Sequence, residues 1–328
     1  MNSVHDARRA LATYRGEAVG PVATEAPTLE MTRGLSAGSA PPRLQAAESI
    51  EGPALAARAV HGPSPAAFAA FMDGIQRSEV VDFDRWTIPV VHGTVAAAIR
   101  ERRDRRMCTW GESTRIDRAI YLPVGAADAA LADHFGASGF HLVDTTPTDE
   151  QRTEDAHPHE YLGWASQAVQ RRREEIEEQL SARWCAAAPG ALYVDGGIGG
   201  FSEAARSPHA IGVVKSHRTL YVAADGIGTV AGLREGERTT AFVVSSQRRI
   251  RVASWYLRLR PALTGDPFAG IVRVEMAEPG FTAARADAVS AMVLAEREPV
   301  ALPDSRWRVM AYGIRDCEEY LRAVAGAR

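Results

Sequence analysis

The sequence predicts a mixed α/β fold, because strand-like apolar segments are interleaved with long segments of helical spacing. Tyr161–Cys185 is the clearest helix. Its apolar residues recur at 3.6-residue spacing and form one stripe, made of Val169, Ile176, Leu180 and Trp184. Two apolar strands follow that helix, at Ala191–Val194 and Ala210–Val214. Together these segments predict a sheet that is flanked by helices.

The composition of the chain limits the classes of protein to which it can belong. With 328 residues, of which 46% are hydrophobic and 24% charged, the chain has room for one large globular domain or two small ones. A net charge of −3 means that a nucleic-acid partner requires arginines gathered on one face. The three cysteines have no CxxC spacing, which argues against a disulfide framework or a structural zinc site and favours a reducing compartment. No apolar run approaches the roughly 18 residues that span a bilayer, so we expect a cytoplasmic protein outside the membrane.

The N-terminal residues differ in composition from the rest. Residues 1–60 are predicted to form a mobile arm with a short helix around His5–Tyr14, and Arg43–Val60 shows helical spacing that is interrupted at Pro53. The arm is either a solvated tail or a docking segment for a partner. Residues 61–328 are predicted to form the main domain, in which residues 100–160 look like an insertion.

The remaining elements are shorter. The predicted strands and helices, in chain order, are Val80–Phe83, Trp86–Val95, Ile120–Pro123, the helix Ala126–Phe135, Phe140–Val143, Thr219–Val222, Thr240–Ser245, Ile250–Leu259, Gly270–Glu275, the helix Phe281–Glu296, Trp307–Tyr312 and the helix Gly313–Ala325.

Two apolar strands are predicted to end on an Asp-Gly pair. Ala66–Met72 ends on Asp73-Gly74, and Ala191–Val194 ends on Asp195-Gly196. Carboxylates that converge from separate strands are what a hard divalent cation needs. The alternative is that each pair only makes a turn, since Asp-Gly is a common hairpin signal.

A third carboxylate is expected from the helix Tyr161–Cys185, which carries Glu174, Glu175, Glu177 and Glu178. At about 100° per residue, Glu177 lies about 60° from the centre of the apolar stripe and Glu178 about 160° from it. Glu177 is therefore the carboxylate best placed to face a site at the edge of the core. The alternative for most of the four is solvation and pairing with Arg171–Arg173.

The cationic residues are unusual in one respect: Lys215, after the strand Ala210–Val214, is the chain's single lysine. An ammonium is a compact point charge whose pKa shifts readily, unlike that of a guanidinium. The position is either functional or accidental. The run Arg100–Arg106 and the alternating arginines Arg249, Arg251, Arg258 and Arg260 are either ordinary solvated surfaces or faces that contact phosphates.

The order of these motifs resembles that of the NurA nucleases. The motifs, over about residues 66–325, are an Asp-Gly strand (Phe71–Arg77), a Glu-bearing helix (Arg171–Trp184), a second Asp-Gly strand (Leu192–Gly197), GVVK (Gly212–Lys215), RVE (Arg273–Glu275) and a tyrosine followed by a closing helix (Tyr312–Val324). The resemblance implies an RNase-H-like mixed sheet with flanking helices. It also implies a manganese- or magnesium-dependent DNA nuclease that forms a homodimer and works with a HerA-type hexameric ATPase, in DNA end processing or antiphage defence.

The resemblance further implies roles for individual residues. Asp73, Asp195 and Glu177 would be the metal ligands, with Glu178 as the alternative to Glu177, Lys215 would lie beside the scissile phosphate, and Tyr312 would match the family's C-terminal tyrosine. The sequence departs from the family at three places: Asp195 starts Asp-Gly-Gly instead of Asp-Gly-Ser, Tyr312 precedes glycine instead of proline, and the closing helix has Cys317, Glu318 and Glu319 but no histidine.

Two other functions stay open at this point. One is a catalytically silent DNA-binding or assembly subunit that keeps the fold and the ATPase partner. The other is an unrelated metal-dependent hydrolase of small phosphate esters. Binding to a polynucleotide would weaken steeply with salt, whereas binding of a small phosphate ester would not.

Overall fold

The computed structural model describes residues 3–17, 41–62, 66–147, 156–187, 190–246, 249–262, 265–297 and 309–326. Within these ranges the fold is mixed α/β, with one large mixed sheet and helices on both of its faces. The predicted fold class is confirmed at this level.

The strands are numbered in chain order. They are β1 (Arg43–Leu44), β2 (Glu48–Ser49), β3 (Ala57–Ala59), β4 (Ala70–Asp84), β5 (Ile88–Arg103), β6 (Arg106–Thr109), β7 (Arg115–Leu122), β8 (Leu142–Asp144), β9 (Leu192–Asp195), β10 (Ala210–Val214), β11 (Thr219–Leu220), β12 (Glu237–Thr239), β13 (Phe242–Ser246), β14 (Arg249–Arg258) and β15 (Ile271–Ala277).

The α-helices are α1 (Val4–Arg15), α2 (Ala129–Ala137), α3 (Pro158–Ala187), α4 (Ile227–Ala231), α5 (Ala283–Glu296) and α6 (Tyr312–Ala325). The longest, α3, extends the predicted helix by three residues at its N-terminal end and two at its C-terminal end. Its first residue is Pro158, whose fixed φ and missing N–H suit the first position of a helix.

The main sheet runs β2-β13-β14-β15-β10-β9-β4-β5-β7-β8 among the described residues. The short strand β9 lies at its centre and pairs in parallel with both β10 and β4. Most other neighbours are antiparallel, and β4 and β5 form a long hairpin. A parallel pair of strands places both carboxyl ends at one edge, so the residues that follow β9 and β10 meet there.

The two faces of the sheet have separate cores, because successive side chains in a strand point to opposite sides. Met72 belongs to the cluster that α3 covers, together with Ile176 and Leu180 of that helix. Phe71 belongs to the cluster that α5 and α6 cover, together with Ile314 of α6. Thus α3 packs on one face of β4 and α6 on the other.

The short helix predicted around His5–Tyr14 is confirmed as α1. Helix α1 begins with a capping box at Ser3 and buries Ala7 and Leu11 against α2. The helical spacing predicted for Arg43–Val60 is wrong: this segment contributes β1, β2 and β3, which pair with β11, β13 and β12. Residues 18–40 of the predicted arm lie outside the described residues.

The last predicted strand, Trp307–Tyr312, is also not found in its described part. Val309–Ala311 is not extended in a sheet, and Tyr312 is the first residue of α6. Ala311 has extended backbone and caps the helix instead. The first two residues of that predicted strand lie outside the described ranges.

Helix α6 packs very closely on β4, which makes Gly313 a sensitive position. A Cβ at Gly313 would lie 2.3 Å from Cδ2 of the buried Phe71 ring. We expect Gly313→Ala to lower the free energy of unfolding by about 1–3 kcal/mol, because the overlap displaces α6 or the ring. Urea unfolding in EDTA measures this. The matched control is Gly136→Ala in α2, where an added Cβ meets nothing within 4 Å; it should be neutral or stabilising by up to about 1 kcal/mol. A Gly313→Ala variant as stable as the wild type would contradict the packing.

Candidate metal centre and adjoining cleft

Asp73 lies in the interior of β4 and not at a strand end or in a turn, which corrects the prediction. The strand continues for eleven residues to Asp84, and Gly74 pairs with Ala97 of β5. The Asp-Gly pair does not break the strand because β5 supplies hydrogen-bonding partners along its whole length. Gly74 N–H donates to Asp73 Oδ1 at 2.8 Å, and the Asp73 side chain is buried.

Asp195 is the last residue of β9, as predicted. Met72 of β4 pairs with Val194 of β9, so Asp73 and Asp195 occupy equivalent positions one step further along two parallel strands. Tyr193 belongs to the core on the α6 side. The period of two therefore places both aspartates towards the face that α6 covers.

Glu318 of α6 completes a group of three carboxylates. One oxygen each of Asp73, Asp195 and Glu318 lies within 4.8 Å of the others, and Glu318 is buried. Glu318 is not singled out as a candidate ligand in the sequence analysis. The signal that could have found it is its place in the closing helix, where the resemblance leads one to expect a histidine.

Glu177, the predicted third ligand, lies beside this group on the α3 side. It is buried, and its Oε1 accepts a hydrogen bond of 2.7 Å from Arg173, which also donates to Gln76 at 3.0 Å. Glu177 Oε1 fills the space above Gly74, where a Cβ would lie only 2.2 Å from it. Burial raises the pKa of Glu177 to about 7 despite the guanidinium of Arg173. The ligand role of Glu177 stays a prediction.

Glu178, the alternative third ligand, has a different setting. Its Oε1 accepts hydrogen bonds from the backbone N–H and the hydroxyl of Ser202, at 3.0 and 2.9 Å. This carboxylate therefore anchors the loop that follows β9. The wheel argument separates it correctly from Glu177, which is the more buried of the two.

Lys215 follows β10, and its Nζ donates to Asp195 Oδ2 at 2.8 Å. Because β10 pairs in parallel with β9, the lysine after one strand reaches the aspartate that ends the other. The single lysine of the chain thus lies within the carboxylate group, as a direct ion-pair partner of one member.

Tyr312 lies apart from this group. It is the first residue of α6 and is 47% exposed. Glu318 is six residues further along the same helix, which corresponds to about 9 Å along its axis. The electrostatic effect of Tyr312 is on Arg102, whose pKa is raised mainly by its hydrogen bond to Glu296. The catalytic role expected for Tyr312 stays a prediction.

Two members of the carboxylate group have cationic partners, since Lys215 pairs with Asp195 at 2.8 Å and Arg322 with Glu318 at 3.4 Å. Burial raises the pKa of Asp73 well above its ordinary value, and the charge of Asp195 raises it further, while Lys215 opposes the shift. Three hard oxygen donors with this charge fit Mg²⁺ or Mn²⁺, which prefer carboxylate ligands.

The loop after Asp195 is hydrogen-bonded to a glutamate that belongs to a buried ion pair. Glu275 of β15 is fully buried and pairs with Arg273 of the same strand. Its Oε2 accepts hydrogen bonds from the N–H groups of Ile198 and Gly199, at 2.8 and 3.4 Å. Burial raises the pKa of Glu275, but Arg273 and the Ile198 N–H outweigh burial and hold the pKa below its ordinary value.

A cleft of about 340 Å³ opens beside the carboxylates, between α3 and the loop after β9. Asp195 and Glu177 lie at one part of its wall, and Gly196, Gly197 and Gly200 line the loop side. Its cationic lining consists of Arg171, Arg173 and Arg249. A phosphate-bearing ligand in this cleft would therefore contact Asp195, the member of the carboxylate group that lines it.

Comparisons with known proteins find similarity in structure but not in sequence. No family model matches the chain, and no curated protein matches it. The chain is similar in structure to the NurA nuclease from Sulfolobus solfataricus, with a TM-score of 0.43 and 9% identity over 84% of this chain and 81% of the other. The fold class therefore rests on the strand order and helix packing described above, and the site on its own geometry.

Several arginines of the two arginine-rich segments make ion pairs or hydrogen bonds within the protein and are therefore not free to bind phosphates. Arg100 and Arg102 pair with Asp316 and Glu296, and both are partly buried. Arg258 is buried and donates to the carbonyl oxygens of Ala231, Pro267 and Ala269, so it stabilises the fold and is not part of a binding surface.

No described helix combines the length and apolar character needed to cross a membrane.

Proposed function

We propose that this protein is a divalent-metal-dependent DNA nuclease of the NurA type that hydrolyses phosphodiester bonds. The observation that supports this most directly is the convergence of Asp73, Asp195 and Glu318. Asp195 is paired with Lys215 and also lines a cleft that contains arginines. Asp73, Asp195 and Glu318 would hold Mn²⁺ or Mg²⁺, and the resemblance of the motifs adds Glu177 as a further candidate ligand.

The residues around the site would have different roles in phosphodiester hydrolysis. When bound, the metal ion supplies an activated water and stabilises charge on the phosphate oxygens. Asp195 keeps Lys215 in position through their ion pair. Lys215 then presents a positive charge where negative charge accumulates during phosphodiester cleavage. Arg173 holds the carboxylate of Glu177 towards Gly74.

Other parts of the proposal come from the resemblance of the motifs. They are a HerA-type hexameric ATPase as partner, a homodimeric assembly, action on DNA ends or in antiphage defence, a cytoplasmic location, and a part for Tyr312 in catalysis. The distance of Tyr312 from the carboxylates along α6 means that it would act on the substrate and not on the metal.

The first test compares the wild type with Asp195→Ala on linear and circular DNA, in Mn²⁺, Mg²⁺ or EDTA. We expect metal-dependent cleavage by the wild type and none by the variant, because the variant loses one ligand and the partner of Lys215. The matched control is Asp225→Ala, which removes an exposed aspartate from another part of the chain and should cleave normally. Circular dichroism of the variants checks that they are folded.

The outcomes separate the alternatives. Unchanged metal-dependent cleavage by Asp195→Ala would overturn the assignment of the site. Binding of DNA by the wild type without cleavage in any metal would favour a silent or partner-activated subunit, and the test would be repeated with the ATPase. Cleavage of small phosphate esters but not of DNA would favour the unrelated phosphoesterase.

A further inference from the structure

The cleft beside the metal centre has two cationic side chains without partners in the described structure. Arg171 belongs to α3 and Arg249 begins β14, and both are exposed and line the cleft. Neither side chain makes a hydrogen bond or an ion pair to another described residue. The charge of Arg249 affects the pKa of Glu275, but that carboxylate is buried and already paired with Arg273.

The acidic residues of the same cleft are already engaged. Glu175 pairs with Arg172, Glu174 accepts a hydrogen bond from Gln170, and Glu178 accepts two from Ser202. The third arginine of the cleft, Arg173, is also engaged, by Glu177 and Gln76. Arg171 and Arg249 are therefore the cations of this cleft that remain available to an anionic ligand.

Their positions differ in a way that fits an extended ligand. Arg171 precedes Glu177 by six residues on α3, or about 9 Å along the helix axis. Arg249 lies beside the loop on the other side, where the N–H of Ile250 donates to Gly199 O at 2.8 Å. A cleft of about 340 Å³ has room for a small-molecule-sized segment and not for a duplex. Cations from two elements suit successive phosphates of one strand.

We infer that Arg171 and Arg249 bind backbone phosphates of a single nucleic-acid strand on either side of the bond at the metal centre. This inference rests on the proposed function and specifies its substrate site. It assigns the two arginines to binding and not to metal coordination, so their loss changes the affinity for the strand and leaves the affinity for the metal unchanged.

The test measures binding of a fluorescent 20-residue oligothymidylate in EDTA, where no cleavage occurs, over a series of KCl concentrations. Each contact with a phosphate contributes about 0.7 to the slope of log K against log salt for a single strand. Arg171→Gln and Arg249→Gln should each reduce the slope by about 0.7, and the double variant by about 1.4. Calorimetric titration with Mn²⁺ should give the wild-type affinity for all three variants.

The control is Arg105→Gln, which removes the same charge from an exposed arginine in the turn between β5 and β6. That turn lies beyond Ala70, at the end of β4 opposite to the cleft. The inference would be overturned if the double variant kept the wild-type salt slope, or if Arg105→Gln reduced the slope as much as the cleft variants do. Metal-dependent DNA cleavage by the wild type would still support the proposed nuclease function in either case. A wild-type slope no steeper than about 1 would assign the cleft to a small phosphate ester and overturn it too. A wild type that neither binds nor cleaves DNA would instead contradict the proposed function itself.

Discussion

Asp73→Asn is expected to abolish metal-dependent cleavage and, in EDTA at neutral or higher pH, to raise the melting temperature of the protein. The pKa of Asp73 is raised well above its ordinary value of 3.8 by burial and by Asp195. A carboxyl whose folded pKa exceeds its unfolded pKa makes folding less favourable as pH rises from the unfolded value through the folded one. The amide carries no charge, so it removes this penalty, and its oxygen can still accept the hydrogen bond from Gly74 N–H.

The same sign applies to the effect of the metal. The pKa of Glu177 is raised to about 7, so its ionisation also lowers the stability of the metal-free protein as pH rises. A divalent cation favours the ionised carboxylates, so the increase in melting temperature on adding Mn²⁺ should grow as pH rises. At a hundredfold excess over its dissociation constant a ligand stabilises the folded state by about 2.7 kcal/mol. Asp73→Asn should lose most of this increase.

Thermal unfolding over a pH series, in EDTA and in Mn²⁺, measures both effects. Asp225→Asn is the matched control, since Asp225 is exposed and lies outside the carboxylate group; its melting curves should follow those of the wild type in both conditions. An Asp73→Asn variant that is less stable than the wild type in EDTA at pH 8, or that keeps the full response to Mn²⁺, would contradict a strained, metal-binding carboxylate group.

The candidate site could be predicted from sequence where the signal is local. Asp195 and Lys215 are each the residue at or just after the end of a clear apolar strand, and the parallel pairing of those strands brings them together. A helical wheel predicts the burial of Glu177, because the buried side of α3 follows from the spacing of its apolar residues. In these cases the sequence of the residue's own strand or helix is enough to predict where the residue lies in that element.

Glu318 could not be predicted in the same way, because its role depends on which helix covers which face of the sheet. Asp73 shares the face of Phe71, and that face is covered by α6 and not by α3. The wheel correctly turns Glu177 towards the sheet, but towards the opposite face. A one-residue difference in strand parity therefore decides which glutamate joins the aspartates.

The N-terminal segment shows a different limit. The spacing of Leu44, Ile50, Leu55 and Val60 fits a helix, yet the segment is drawn into edge pairing with β11, β13 and β12. Hydrogen bonds to distant strands outweigh a weak local preference in such short segments. No pattern within residues 41–62 reports where those partner strands lie.

The second large effect is expected at Glu275, where fold stability and site geometry can be separated. Glu275→Gln should lower the free energy of unfolding by about 3–5 kcal/mol, because Arg273 stays buried without its ionic partner. The amide oxygen can still accept from Ile198 N–H, so the loop after Asp195 keeps its anchor. We therefore expect the folded variant to bind Mn²⁺ nearly as tightly as the wild type, as measured by calorimetric titration at low temperature.

The double variant Arg273→Met/Glu275→Leu should show the opposite pattern. Replacing a buried ion pair by apolar side chains of similar volume is often neutral or stabilising. The double variant should therefore recover part of the stability that Glu275→Gln loses, reduced by about 1–3 kcal/mol for each buried N–H group left without an acceptor. The introduced leucine side chain cannot accept a hydrogen bond, so Ile198 N–H and Gly199 N–H lose their acceptor, and Gly197 loses the carboxylate against which it packs. Asp195 precedes this loop directly, and we expect the affinity for Mn²⁺ to fall about 10- to 100-fold, the usual effect of removing a residue that orients a metal ligand. A stable double variant with wild-type Mn²⁺ affinity would show that Asp195 is positioned by β9 alone, whereas equal losses of stability and affinity in both variants would assign Glu275 a purely structural part.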